Sequence, residues 1–150
     1  MTARLTFRPA TPADVAEVVA LLTDDPLGMT RESTELAPYL AAFDAMQAEG
    51  ANHLILGTIG AEIVACYQIT FISGLSLSAA RRAQIEGVRV KSSHRGRKIG
   101  EALIRDAETR ARAAGCTLLQ FTTNRSRGDA HRFYDRLGFT ASHIGYKKSL

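Results

Sequence analysis

The chain has few cysteines and no long apolar run, and these absences exclude several classes of protein. Its two cysteines, Cys66 and Cys116, lie in apolar strand-like segments with no CxxC or Cys/His ligand spacing. We therefore expect buried free thiols rather than a disulfide or a metal site. No apolar stretch approaches the roughly 20 residues that span a bilayer, and the N-terminus lacks the apolar region of a signal peptide. We expect a cytoplasmic protein that binds no membrane and no metal.

The composition fits one globular domain. The 150 residues are 45% hydrophobic and 23% charged, and no repeat, low-complexity segment or interdomain linker interrupts them. A chain of this length can bury a core without covalent staples. We expect residues 1–150 to form a single domain.

Acidic residues are scarce in the second half of the chain. Residues 1–80 carry three Lys/Arg against nine Asp/Glu, a net charge of −6, whereas residues 81–150 carry 16 against six, a net charge of +10. A cationic half indicates a polyanionic ligand. Nucleic acid is one such ligand, but arginines alternate with acids along the predicted helices, and no aromatic stacking platform or reading helix is visible. We therefore expect no nucleic-acid partner.

Hydrophobic periodicity predicts alternating strands and helices. The first helix begins at Thr11-Pro12-Ala13-Asp14, because threonine can cap a helix and proline suits its first position. The segment Asp24–Gly28 is predicted to break this helix. The expected order β-α-α-β-β-β-α-β-α-β gives a mixed α/β sheet that is antiparallel at first and parallel across the later crossover. The predicted buried face of the first helix comprises Val15, Val18, Val19 and Leu22; the predicted strands are Leu5–Arg8, 52–59, 62–72, 82–90, 117–123 and 142–148; the later helices are 33–49, 99–114 and 129–137.

The segment Val88–Gly100 predicts a strand, a short basic loop and the first turn of a helix. Such a loop leaves several backbone N–H groups directed at one point, where the helix dipole adds about half a positive charge. This arrangement is a site for a phosphorylated ligand. The apolar stripe of the helix, which Gly115 is predicted to end, comprises Ile99, Ala102, Leu103, Ala107, Ala111 and Ala114.

Two segments together resemble one family. Arg95-Gly96-Arg97-Lys98-Ile99-Gly100 resembles the pyrophosphate signature Gln/Arg-x-x-Gly-x-Gly/Ala of the GCN5-related N-acetyltransferases (GNAT), and Phe133-Tyr134 with Gly138-Phe139 resembles that family's Phe-Tyr-x-x-x-Gly-Phe segment. The resemblance implies an α/β acyl-CoA N-acyltransferase fold, with a twisted mixed sheet of six to seven strands and about four helices. It also implies acetyl-CoA as co-substrate and a small-molecule amine as acceptor. Related proteins are often dimers, so a homodimer is expected.

Lys98 departs from the family signature, which has glycine at this position. If the backbone there needs a positive φ, lysine costs about 1 kcal/mol or more. If φ is negative, lysine adds a cation beside the pyrophosphate at little cost. We expect a negative φ, because Gly96 and Gly100 supply conformational freedom on either side.

Acetyl transfer to an amine needs a base, an oxyanion donor and a proton for the departing thiolate. Glu86 is the candidate base, directly or through water; strand alternation predicts that it shares a face with Val88 and Val90, and many family members have a glutamate here. The alternative is an exposed or arginine-paired strand glutamate. Tyr134 is the candidate acid, as the family's Phe-Tyr pair implies. The alternative is a tyrosine at the core edge that packs on the co-substrate.

The remaining site residues follow from the resemblance. The backbone N–H of Val88 is the expected oxyanion donor, and Val88 and Val90 are expected to bond the pantetheine arm like an added strand, which needs the sheet to splay. Asn124 would bond the arm from the other side, or is an ordinary turn former. Arg136 would meet the 3′-phosphate, or is a solvated helix arginine.

Two further groups have open alternatives. His131 and His143 could form a metal or acid–base pair, but hydrogen-bonded structural histidines are favoured. The segments around them also resemble the aminoalkylphosphonate N-acetyltransferases of the same family. The acids of Asp24–Gly28 and Glu32 lie where the family builds its acceptor wall and would attract a cationic amine; the alternative is a solvated loop.

The sequence therefore predicts an acetyl-CoA-dependent N-acetyltransferase that works by direct attack in a ternary complex. The alternatives are a non-catalytic acyl-CoA-binding sensor or regulatory module on the same fold, and a small basic nucleic-acid-binding domain. The candidate acceptors are small amines, aminoglycosides, amino acids, polyamines, aminophosphonates and protein N-termini.

Overall fold

The computed structural model describes residues 2–24 and 26–150, which fall into two compact units. The first unit extends to Gln120, and the second is Phe121–Leu150. No helix within the described ranges is both long and apolar enough to cross a bilayer. The elements are β1 (Leu5–Pro9), α1 (Val15–Thr23), α2 (Pro26–Arg31), α3 (Ala37–Glu49), β2 (Asn52–Ile59), β3 (Glu62–Ile72), α4 (Ser76–Ala79), β4 (Arg82–Val90), α5 (Ile99–Ala113), β5 (Leu118–Gln120) and α6 (Gly128–Arg136).

The first unit is built on a sheet in the order β1-β2-β3-β4-β5. The pairs β1–β2, β2–β3 and β3–β4 are antiparallel, and β4–β5 is parallel. Helix α5 forms the crossover between the two parallel strands, since a parallel connection must return to the same end of the sheet. The mixed α/β sheet predicted from the sequence is confirmed.

The entry to α1 has the predicted cap. The Thr11 N–H and hydroxyl both donate to the Asp14 carboxylate, at 2.8 Å and 3.0 Å, and Pro12 begins the 3-10 turn that leads into the helix. Arg8 on β1 donates to the same carboxylate at 2.8 Å. This hydrogen bond is the main reason that the pKa of Asp14 lies well below its usual range.

Both faces of the sheet are covered. On one face, Leu56 and Cys66 pack in a buried cluster with α1 and α3. On the other face, α5 lies over β3 and β4, and the fully buried Tyr67 donates to Asp106 on α5 at 2.5 Å. In α1 the buried residues are Val15, Val18 and Leu21, while Val19 and Leu22 are partly buried. In α5 the buried residues are Ile99, Leu103, Ile104, Ala107 and Ala111.

Helix α1 ends at Thr23, so the predicted break after it is confirmed. Pro26 then begins a further helix, α2, that was not predicted, and α3 begins at Ala37 rather than Ser33. Proline at the first helical position explains the difference, because its missing N–H has no partner in a helix's first turn anyway. Of the predicted break, Asp25 lies outside the described residues.

The sheet is smaller than predicted. Strand β5 spans only Leu118–Gln120 instead of 117–123, and the predicted strand at 142–148 has no strand backbone. Among residues 2–24 and 26–150 the sheet therefore has five strands rather than six or seven, with six helices rather than four. Ile144 and Tyr146 are 80% and 91% exposed, so apolar alternation in this segment is not matched by a buried face.

The second unit is organised around aromatic rings. The ring centre of Phe121 lies 4.2 Å from the ring centre of Tyr134 and 4.8 Å from that of Phe139. Phe133 lies 5.2 Å from Tyr134. Tilted and edge-on contacts at these separations are the geometry that aromatic pairs favour. Within this unit, Tyr134 therefore packs α6 against Phe121 and Phe139.

Candidate functional site

The basic loop between β4 and α5 has an alternating backbone. Gly96 has a φ of +81° and Lys98 a φ of +60°, while Arg97 between them has a negative φ. The prediction of a negative φ at Lys98 was wrong, because Lys98 is the N-cap of α5 and turns the chain into the helix in the left-handed conformation. The side chain therefore carries the strain of about 1–2 kcal/mol that glycine would avoid.

This backbone presents a run of unpaired donors. Across residues 2–24 and 26–150, no group accepts a hydrogen bond of standard geometry from the backbone N–H groups of Gly96 to Gly100. The first intrahelical bond at this end runs from the Ala102 N–H to the Lys98 carbonyl at 3.1 Å. Alternating backbone handedness makes successive N–H groups converge on a concave anion site, and the α5 N-terminus adds its dipole.

The base of the loop is anchored to α1. The Asp24 carboxylate accepts hydrogen bonds from the Ser92 N–H at 2.8 Å and the Ser92 hydroxyl at 3.2 Å. The Asp24 carbonyl accepts from the Arg95 guanidinium at 2.9 Å. Asp24 therefore helps to shape the loop, so the expectation that it forms an acceptor wall finds no support in its contacts.

The hairpin between β2 and β3 holds the loop from another direction. Lys91 donates to Glu62 at 2.8 Å, and the His94 ring lies 3.6 Å from the same carboxylate. The hydrogen bond from Lys91, with the nearby charges of His94 and Arg97, lowers the pKa of Glu62. Arg97 and Lys98 are exposed on the segment that these contacts hold, and the Arg95 guanidinium is bonded at its base, so cationic residues lie in sequence among the unpaired amides.

Strand β4 contains a bulge that the sequence prediction missed. Cys66 on β3 faces Arg89, but Gln68, two residues on, faces Glu86, so Gly87 and Val88 together oppose Tyr67. Gly87 has a φ of +58°, as in a bulge whose first residue is left-handed. The bulge takes one residue out of the ladder and increases the local twist.

The bulge overturns one prediction about the site. Glu86 shares the face of Gln68 and Arg89, whereas Val88 and Val90 point to the face of Ile85. Glu86, Val88 and Val90 therefore do not share a face, because the extra residue reverses the alternation. A glycine inside a strand pattern is the sequence signal that could have revealed this.

The sheet opens two residues before the bulge begins. Strand β5 pairs with β4 only from Arg82 to Gln84, so within the first unit the segment 85–90 of β4 has no strand beside it on that edge. The resemblance implies an unpaired edge of this kind on β4. Glu86 lies in the first part of the opened segment; its side chain is exposed and accepts a hydrogen bond from Gln84 at 3.1 Å.

The other acid of the predicted acceptor wall is also engaged. Glu32 accepts a hydrogen bond from the Tyr39 hydroxyl at 2.7 Å, and this hydroxyl accepts one from the Ser33 N–H at 2.8 Å. The hydrogen bond to Glu32 raises the pKa of Tyr39. These bonds close the turn between α2 and α3, so Glu32 has a structural role there.

In the second unit, Tyr134 is half-buried in the aromatic cluster and Arg136 is exposed in the last turn of α6. Asn124 forms a turn: its side-chain oxygen accepts from the Ser126 N–H at 2.9 Å and from the Ser126 hydroxyl at 2.7 Å. The side-chain oxygen of Asn124 is thus engaged within the turn, which agrees with the alternative of a turn former, while the same side chain keeps its NH₂ group.

Both histidines of the candidate metal or acid–base pair are hydrogen-bonded. The His131 Nε2 lies 2.9 Å from the Asn124 carbonyl, and the His143 Nδ1 lies 2.7 Å from the Ser142 hydroxyl. No cluster of metal-ligating side chains occurs in the described part of the chain. These contacts agree with the favoured structural role for His131 and His143.

Both cysteines are buried free thiols, as predicted. Burial raises the pKa of Cys66 to about 12. A thiol with this pKa is not ionised near neutral pH, so Cys66 is a poor nucleophile.

Comparison with known proteins places this geometry in a family. The model of the acetyltransferase (GNAT) family matches residues 16–139. An aminoalkylphosphonate N-acetyltransferase of Salmonella typhimurium is 32% identical over 144 residues, which are 96% of this chain and 90% of the relative.

Solved structures share the fold. The structure of a transcriptional regulator from Bacillus halodurans C-125 is 43% identical, with a TM-score of 0.94 over 98% of this chain and all of the other. A predicted acetyltransferase from Clostridium acetobutylicum, solved with acetyl-CoA, is 14% identical, with a TM-score of 0.74 over 96% of each chain, and so shares the fold alone. The family match and the N-acetyltransferase relative together show that the chain belongs to the acetyltransferase (GNAT) family and is an acetyl-CoA-dependent N-acetyltransferase.

Proposed function

We propose that the protein transfers the acetyl group of acetyl-CoA to a primary amine of a small molecule by direct attack in a ternary complex. The observation that carries the proposal is the run of unpaired N–H groups from Gly96 to Gly100 among Arg95, Arg97 and Lys98. Converging donors and cations fit a diphosphate, which carries negative charge on several oxygens. In the proposal this loop, together with Ile99, holds the co-substrate.

The opened part of β4 supports the rest of the binding mode. In the first unit, residues 85–90 lack a neighbouring strand on one edge, and such an edge can bond an extended ligand through the main chain. We assign Val88 and Val90 to the pantetheine arm and the Val88 N–H to the developing oxyanion. Asn124 would reach the arm through its NH₂ group, and Arg136 would meet the 3′-phosphate.

In the proposal, two side chains transfer the protons of the reaction. An alkyl ammonium has a pKa near 10, so a base must take a proton before the nitrogen attacks. Glu86, exposed beside the opened edge, is assigned this role. The new bond joins nitrogen to the carbonyl carbon, the carbon–sulfur bond breaks, and Tyr134 gives its proton to the thiolate. Burial of Cys66 supports direct attack over an acyl-cysteine intermediate.

The acceptor is proposed at the level of a class. The Salmonella relative acts by name on aminoalkylphosphonates, so we propose amines of this class, such as 2-aminoethylphosphonate, as the first acceptors to test. The similarity to this relative spans 96% of this chain and 90% of the relative.

Calorimetric titration with acetyl-CoA tests the proposal. We expect micromolar binding that Arg97→Gln weakens by about three- to tenfold at low salt, since one cation near the phosphates is lost. Arg112→Gln, which removes an exposed cation at the other end of α5, is the matched control and should bind normally. No binding, or equal weakening by both variants, would contradict the proposed site.

A second function is favoured by one observation. The Bacillus halodurans structure, at 43% identity, is described as a transcriptional regulator, so an acyl-CoA-binding sensor without turnover is the alternative. Tight acetyl-CoA binding without CoA release across a broad amine panel would favour the sensor. CoA release with any amine would favour the enzyme.

Three expectations from the sequence stay predictions within this proposal: one domain over residues 1–150, a cytoplasmic location and a homodimer. Limited proteolysis, cell fractionation and sedimentation velocity, respectively, test them.

A further inference from the structure

Three polar side chains on one face of the sheet form a chain of hydrogen bonds that ends on Glu86. The Gln120 Nε2 donates to the Gln84 Oε1 at 2.9 Å. The Gln84 Nε2 donates to the Glu86 Oε1 at 3.1 Å. Glu86 is exposed, whereas Gln84 and Gln120 are half-buried, so the chain runs from the sheet outward to the carboxylate.

The pairing register of β4 and β5 places these three side chains next to one another. Gln84 and Gln120 are the last matched pair of the parallel β4–β5 ladder. Residues 84 and 86 alternate onto the same face, because the bulge comes only after Glu86. The two glutamines therefore lie where the strands part, immediately before the segment of β4 proposed to bind the co-substrate.

The chemistry of the three groups fixes the direction of the bonds. An ionised carboxylate can only accept hydrogen bonds, so Gln84 must turn its NH₂ group toward Glu86. Its oxygen then faces Gln120, which must donate. Neither amide can flip without leaving two acceptors face to face, so the bond from Gln120 favours the same orientation of Gln84 as the bond to Glu86 does.

We propose that Gln84 is a positioning residue that orients the Glu86 carboxylate, and that Gln120 acts through Gln84. The role rests on the proposed function, in which Glu86 is the base. The two glutamines do not touch the reacting atoms; they hold the carboxylate in one orientation at the opened edge of β4. An exposed carboxylate without this bond would sample several rotamers and spend less time in the productive one.

A double-mutant cycle tests this dependence, with acetyl-CoA and 2-aminoethylphosphonate as the probe substrates. Gln84→Met should lower kcat about tenfold, since a bond to a charged group is lost, with little change in the KM for acetyl-CoA. Gln120→Met should lower kcat about threefold. The double variant should match Gln84→Met alone, because Gln120 has no other route to Glu86. Losses that multiply to about thirtyfold would overturn the proposal.

The variant Gln120→Glu gives a sharper test, because it keeps the size of the side chain but accepts instead of donating. It should lower kcat further than Gln120→Met, since its carboxylate competes with Glu86 for the NH₂ group of Gln84. This excess loss should disappear in the Gln84→Met background. If it persists there, direct repulsion between the two carboxylates explains it, and the orienting role of Gln120 is wrong.

A readout without turnover separates this inference from the proposed function. In ¹⁵N-labelled protein, the side-chain amide signals of Gln84, assigned by their loss in Gln84→Met, should shift in both Glu86→Gln and Gln120→Met. Thr70→Val is the matched control, because Thr70 faces Gln84 on β3 but donates to Asn52. Unshifted signals in the first two variants would overturn the hydrogen-bond chain. Shifted signals with a wild-type kcat in Glu86→Gln would overturn the base role, and the positioning role with it.

Discussion

The Asp24 carboxylate accepts a hydrogen bond from the Ser92 N–H at 2.8 Å, which ties the end of α1 to the basic loop. The side-chain hydroxyl of Ser92 donates to the same carboxylate, and Arg95 donates to the Asp24 carbonyl. The loop that presents the unpaired amides is thus held by a residue 68 positions earlier in the chain.

Replacement of this anchor should loosen the loop. We expect Asp24→Ala to lower the free energy of unfolding by about 1–2 kcal/mol, since two donors lose a charged acceptor, and to speed tryptic cleavage after Arg95 and Arg97. Urea denaturation and timed proteolysis measure the two effects. Asp44→Ala, an exposed acid on α3, is the control. Equal cleavage rates in wild type and Asp24→Ala would contradict the anchoring role.

The bulge in β4 should depend on glycine at one position. Gly87 has a φ of +58°, and an added Cβ would meet Leu22 only at 3.7 Å, so conformation rather than space requires glycine. We expect Gly87→Ala to destabilise the fold by about 1–2 kcal/mol and to lower kcat, as judged by urea unfolding and amine acetylation. In Gly74→Ala the added Cβ meets only the end of the Arg82 side chain, and that variant should remain close to wild type.

Lys98 should lower the free energy of unfolding while it adds a positive charge beside the proposed phosphate site. Its strain of about 1–2 kcal/mol exceeds the 0.4–1 kcal/mol of chain entropy that glycine costs, so Lys98→Gly should stabilise the fold by about 0.5–1 kcal/mol in thermal or urea unfolding. Lys98→Ala should bring no such gain, because alanine is strained too. Both variants should bind acetyl-CoA more weakly at low salt, since each loses the cation. Stabilisation by alanine as large as that by glycine would refute the strain.

The buried Cys66 should make the free energy of unfolding decrease at alkaline pH. Burial raises its pKa from 9.0 to about 12, so above pH 9 the unfolded chain releases a proton that the folded chain keeps. Stability is unaffected near neutrality and falls as the pH rises from about 9 toward 12. Between pH 7.5 and 10 the loss from this thiol is about 1.4 kcal/mol. Urea unfolding of wild type and Cys66→Ala at both pH values should show a smaller decline in the variant, and equal declines would rule the effect out.

The two proposed catalytic side chains should affect kcat. Glu86→Gln and Tyr134→Phe should each lower kcat tenfold or more, because each removes a group that transfers a proton, while the dissociation constant for acetyl-CoA changes little. Steady-state kinetics with 2-aminoethylphosphonate, paired with calorimetry, separate the two quantities. Glu49→Gln, an exposed glutamate at the end of α3, is the control for Glu86. Wild-type rates in both catalytic variants would remove the assigned roles.

The sequence predicted those parts of the fold that local patterns determine. Strands β1 to β4 and helix α5 were confirmed nearly to the residue, because apolar periodicity and glycine stops mark them. The short β5 and the missing strand at 142–148 were not predicted. A strand needs a partner for its hydrogen bonds, and single-chain periodicity does not say whether a partner is there.

The sequence predicted a loop with free backbone donors but not its geometry. The loop sequence marks the amides that are proposed to bind phosphate, yet the φ of Lys98 depends on how α5 enters the sheet. The face of Glu86 depends on the bulge at Gly87, which only the register with β3 reveals. Asp24, Gln84 and Gln120 were missed as supporting residues, because the Asp24–Ser92 and Gln84–Gln120 bonds join elements that are distant in the sequence.

The extra residue of the bulge also limits which deletions β4 can tolerate. Loss of Gln84, for example, would restore plain alternation but turn Ile85, now buried, to the side on which Glu86 lies, and turn Glu86 to the buried side. Loss of Gly87 would remove only the bulge and would keep every other side chain on its present face. Deletions between Arg82 and Glu86 should therefore be rare among relatives that keep the reaction, even where the side chains of this strand vary freely.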